Sequence, residues 1–90
     1  MLKLDRLFLR ILENGADTDL SILEDKQVKT LMRSMKDHPS VIRTAYAVAK
    51  GVRHDEKEAA ACLEQLEKVA KTWPNRADID AERELMELVR

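Results

Sequence analysis

The chain has 90 residues, with 16 basic against 17 acidic for a formal charge of -1, and it is 37% charged, 44% hydrophobic and 3% aromatic. Ninety residues hold one small domain, residues 1–90, and so many charges with so few aromatics suit a helical protein better than a sheet. The even charge balance excludes a field that draws the whole chain onto nucleic acid or an anionic membrane, and no apolar run approaches the roughly 20 residues of a membrane span.

Along residues 2–12, Leu4, Leu7, Phe8, Ile11 and Leu12 recur at helical spacing, and Gly15 stands where a left-handed residue closes a helix. Leu9 lies off that stripe, either as an isolated exposed leucine or as a contact for a neighbour or partner. Asp17, Thr18 and Asp19 offer N-caps for a second helix, with Leu20, Leu23, Val28, Leu31 and Met35 as its stripe, running to about residue 37. His38 and Pro39 break it, because proline lacks an amide and disfavours helix in the residue before it. Ser40 is the expected cap of a third helix, in which Val41, Ile42, Ala45, Val48 and Ala49 are apolar and several are small, and which stops at Gly51.

Residues 55–74 carry the longest clean pattern. Asp55 and Glu58 have capping-box spacing, Ala59, Leu63, Leu66, Ala70 and Trp73 form one stripe, and Pro74 ends the helix. Asp78 is the expected cap of a last helix with Ile79, Glu82, Leu85, Met86 and Val89 on its inner side. The expected fold is all-α, about five helices arranged as two helix pairs plus a C-terminal capping helix.

Pro39 and Pro74 lie 35 residues apart (74 − 39), and at that offset Val28 falls on Leu63, Leu31 on Leu66 and His38 on Trp73. A helix-turn-helix unit with a period near 34 residues is the mark of tetratricopeptide repeats. Cys62, Leu66, Val69 and Pro74 follow the spacing of that family's second helix, and Gln27, Leu31, Ser34 and Pro39 follow it more loosely; the Trp-Leu-Gly-Tyr signature of the first helix is absent. The chain is thus similar to such repeats. The segments RILEN, HPSVIRTAYAVAKG and CLEQLEKVAKTWP also resemble the C-terminal helical region of O-antigen-ligase-like membrane enzymes, including bacterial protein O-oligosaccharyltransferases. That resemblance implies an accessory domain in bacterial glycosylation. The family's catalytic residues belong to segments absent here, so none is carried over.

The chemistry-bearing residues point away from catalysis. His38, His54 and Cys62 are the only soft metal ligands and have no zinc-site spacing, so no metal is expected. Cys62 lies in an alanine run and suits packing, no carboxylate stands out as an acid or base, and two glycines build no phosphate loop. No cofactor is expected. Arg33, Lys36, Arg43, Lys50 and Arg53 make a candidate basic patch, yet acidic residues are interleaved with them and only Tyr46 offers a stacking ring. A lone cysteine suits a reducing compartment without requiring one.

What remains is a surface for a protein or peptide partner. Stacked helix pairs bind on the face built by the first helix of each pair, which designates Arg43, Tyr46, Ala47 and Lys50, with Leu9 as a separate contact; Tyr46 as a half-buried core residue is the alternative. The expectation is a non-catalytic interaction or scaffold module, with self-association compatible, without nucleic acid and without a membrane span. The alternatives are a free-standing secretion chaperone and a helical nucleic-acid regulator. The chain is expected to be soluble, cytoplasmic if free-standing and periplasm-facing if part of a glycan ligase.

Overall fold

A computed structural model describes residues 2–90. These residues form five α-helices and no strand: α1 (Leu2–Asn14), α2 (Lys26–Ser34), α3 (Pro39–Ala47), α4 (Glu56–Ala70) and α5 (Arg76–Glu87). Two 3-10 turns, Gly15–Asp17 and Ser21–Glu24, join α1 to α2, and a π-helical turn, Val48–Val52, continues α3. No helix among the described residues is long and apolar enough to cross a membrane.

Local chemistry sets the boundaries. Gly15 adopts the left-handed conformation (φ 56°) that ends α1, which glycine takes without a steric penalty. The expected caps of the second helix are used elsewhere: Thr18 Oγ1 donates to the Gly15 carbonyl at 2.6 Å, and Asp19 accepts from the Ser21 amide. The helix therefore starts later, where Asp25 accepts from the Gln27 and Val28 amides, and these bonds hold its carboxyl below the usual carboxylate range. His38, not Ser40, caps α3; its Nδ1 accepts from the Ser40 amide with Pro39 in the first turn.

Asp55 caps α4 by accepting from the Glu58 amide at 3.0 Å. The reciprocal half of the box is replaced, since the Asp55 amide donates to the Ala49 carbonyl at 2.8 Å and ties α4 to the π turn. Asn75, not Asp78, caps α5 through the Ala77 amide. Asp78 instead accepts from Trp73 Nε1.

α3 is the axis of the molecule and packs against α1, α4 and α5. Leu7, Phe8 and Ile11 of α1, Ala59, Cys62 and Leu66 of α4, and Ile79 and Met86 of α5 share one core with Ile42, Tyr46 and Ala47. Small side chains on both α3 and α4 allow their close approach. The inner stripe of α4 passes through Cys62, and Leu63 is 43% exposed. At the 35-residue offset, Val28 is buried where Leu63 is exposed, so the two aligned segments present different faces.

α2 is attached differently. Its only fully buried residue is Val28, which sits in a smaller cluster with Leu4 and Val41.

Candidate partner-binding groove

Because α2 is held through that small cluster, its flank toward the π turn and the start of α4 is not filled. A groove of about 540 Å³ opens there. Leu23, Met32, Ala45, Val48 and Ala49 give it apolar walls and floor, while Lys29, Arg33, Arg53, Asp55 and Glu58 carry its charge. The floor lies low because Ala45 and Ala49 stop at Cβ and leave the space above them open. The walls are helices whose backbone groups are bonded internally, so an occupant is met by side chains and not by a free strand edge.

The rim charges are unequally engaged. Lys29 pairs with Glu24 at 3.0 Å, and Asp55 is occupied as the α4 cap. Arg33 and Arg53 are exposed and form no ion pair among the described residues. Beyond the groove, Gln65 Nε2 bridges α4 to the end of α2, donating to the Lys36 carbonyl and to Asp37 at 3.0 Å each.

The five residues expected to meet a partner do not form one surface. Arg43, Tyr46 and Ala47 are buried, because α3 lies inside the bundle and has no open concave side. Lys50 is half-buried, with its ammonium 5.7 Å from the centroid of the Tyr46 ring. Leu9 is 55% exposed on α1. Of the expected basic patch, Arg33 and Arg53 line the groove and Arg43 does not.

Arg43 instead fastens three helices. Its Nη2 lies 2.6 Å from Asp5 of α1, its Nε lies 3.2 Å from Glu82 of α5 but off the hydrogen-bond line, and its guanidinium covers the Phe8 ring at 4.8 Å. Burial pushes the Glu82 carboxyl above its ordinary value, and the Arg43 charge opposes this only in part. Cys62 is buried and its thiol is likewise pushed up by burial, which disfavours the reactive thiolate.

Sequence reasoning missed Met32 and the floor alanines, whose role appears only once the α2 flank is seen to be open. Fold and site together define a small α-helical bundle with a partly unfilled flank beside α2, rimmed by charges of both signs. Comparison with protein-family models, curated proteins and solved structures returned no match.

Proposed function

We propose that this chain is a non-catalytic protein-interaction module that holds a segment of a partner protein in the groove beside α2. The observation that carries the reading is the groove itself, an apolar floor left open within a bundle whose other helices converge on α3. Its position as an accessory domain of a bacterial O-antigen-ligase-like enzyme rests on the resemblance of the three segments quoted above. The alternative, a free-standing chaperone or adaptor, draws on the exposure of Leu9. Both use the groove in the same way.

The test is retention of a partner. Affinity-tagged wild-type chain and an Ala45→Trp variant, whose indole fills the floor, are purified from source cells after the melting curve of each has shown that it is folded. A partner held by wild type and lost from the variant supports the reading, and equal retention or no partner removes it. Fractionation of the same cells separates the two settings: a large species in the membrane fraction makes these residues a domain of a larger membrane protein, as the glycan-ligase reading requires, and a small free species favours the adaptor.

A further inference from the structure

We infer that the joint outer face of α1 and α5 binds a second copy of this chain, with α1 of each copy lying on α5 of the other. The inference does not rest on the groove. Both helices pack on α3 and are tied together there twice: Arg43 reaches Asp5 and Glu82, and Ile11 and Val89 converge on Gly51. The two ties come in the same order along both segments, so α1 and α5 run parallel, and residues 77 or 78 apart in sequence (82 − 5 and 89 − 11) stand level with each other.

The outer crests of the two helices share one spacing. Leu2, Arg6, Leu9 and Glu13 are exposed at steps of four, three and four along α1, and Ala77, Ala81, Glu84 and Leu88 are exposed at the same steps along α5 and its C-cap. Leu2, Leu9 and Leu88 are the three most exposed large apolar side chains among the described residues, each more than half exposed, and all three belong to this face.

Charge selects a second copy as the occupant. Arg6, Arg10 and Glu13 of α1 and Glu84, Glu87 and Arg90 at the α5 end are exposed and form no ion pair among the described residues. At the offset of the ties, Arg6 is level with Glu84, Arg10 with Glu87 and Glu13 with Arg90, so the sign is opposite at all three levels. Within one copy the seam between the helices keeps these groups apart. A two-fold axis parallel to the seam turns α1 of one copy onto α5 of the other in the same direction, and each of the three levels then pairs opposite charges, twice over by symmetry. Leu9, one turn beyond the seam-facing Asp5, and Leu88, on the side of α5 turned away from Arg83 and α4, meet near that axis. An axis across the seam would instead stack α1 on α1 and bring arginines together. Two parallel helices about 20 Å long and about 10 Å apart offer roughly 20 by 20 Å from each copy, the low end for a specific interface, so the dimer is a weak one.

The experiment is sedimentation equilibrium of the purified chain at rising concentration, in which wild type is expected to pass from monomer to dimer with a Kd of roughly 10–100 µM. An Arg6→Glu/Arg10→Glu variant and a Glu84→Arg/Glu87→Arg variant each repel their own kind and are expected to dimerise about tenfold or more weakly. An equimolar mixture of the two restores opposite charges at those levels and is expected to dimerise at about wild-type strength. All four positions are exposed, so the variants keep their fold, which their melting curves check. Ala45→Trp, which fills the groove and leaves this face intact, is expected to dimerise like wild type. Association that ignores the charge reversals, a mixture that does not recover, or a dimer lost in Ala45→Trp overturns the inference. A chain that stays monomeric to about 1 mM overturns it as well and leaves the reading of the groove standing.

Discussion

The ring of His38 meets the ring of Trp73 edge to face, with centroids 5.2 Å apart, so the residues that stand before Pro39 and Pro74 pack on each other. Trp73 is half-buried, and its Nε1 donates to Asp78 at 3.0 Å. It clasps the ends of two helices and packs on the margin of the core. Replacing Trp73 by alanine is therefore expected to destabilise the fold by about 1–2 kcal/mol, below the 3–5 kcal/mol of a core tryptophan. Urea unfolding followed by circular dichroism measures it.

His38 also makes stability depend on pH. Its Nδ1 accepts the Ser40 amide bond, and burial holds its pKa below the ordinary 6.5, with Asp78 opposing in part. The unfolded chain thus binds more protons than the folded one in the window just below 6.5, and stability falls as pH drops through the folded value. The raised Glu82 has the opposite sign, its contribution growing as pH falls toward its ordinary 4.5. His38→Asn keeps a capping oxygen and removes the titration. The melting temperature of wild type is expected to decline more than that of the variant between neutrality and pH 5.5, a range that spans the ordinary histidine value.

The Arg43 contact is a fastening whose two sides depend on each other. Arg43→Met leaves the half-buried Glu82 without its cation and is expected to destabilise by about 3–5 kcal/mol. Arg43→Met combined with Glu82→Leu is expected to recover most of that loss, because removing both charges of a buried pair costs little. Asp5→Asn is expected to change stability by about 1 kcal/mol or less, since that partner is half-exposed and asparagine keeps an acceptor oxygen for Arg43. Chemical denaturation of the four proteins tests the coupling.

Gly51 is held to its identity by space. An added Cβ would lie 2.8 Å from Ile11 Cγ2 and 3.1 Å from Val89 Cγ1, both on buried side chains. Gly51→Ala is expected to destabilise by about 1–3 kcal/mol through overpacking. Gly15→Ala meets open space and carries only the left-handed backbone penalty, about 1–2 kcal/mol. Combining Gly51→Ala with Val89→Ala relieves only the second contact, so the two losses are expected to be less than additive.

Much of this architecture is legible in the residues, since periodicity and helix punctuation are local. The α1 stripe, the Gly15 cap, the Asp55 cap and the inner side of α5 follow from short-range rules. The choice between Cys62 and Leu63 does not, because both lie three or four residues from Ala59 and only the direction of α3 selects one. Asp17, Thr18 and Asp19 are chemically competent caps, but the short 3-10 turns claim two of them first. Gly51 suggests a helix stop, whereas the close approach of Ile11 and Val89 sets it in a π turn.

The candidate site was less legible. Arg43 looks like surface by residue type and is buried, a placement hinted at only by Glu82 on the apolar side of its own helix. The groove arises from what α2 fails to cover, which is a property of several elements at once and has no sequence signature.

The measurement that tests the account most directly is site-specific photocrosslinking in source cells, with the reactive side chain placed at Lys29 on the groove rim or at Glu64 on the exposed side of α4. The account predicts a discrete crosslinked partner from position 29 that disappears when Ala45→Trp fills the groove, and none from position 64. Equal crosslinking from both positions, or a partner that persists after the groove is filled, contradicts it.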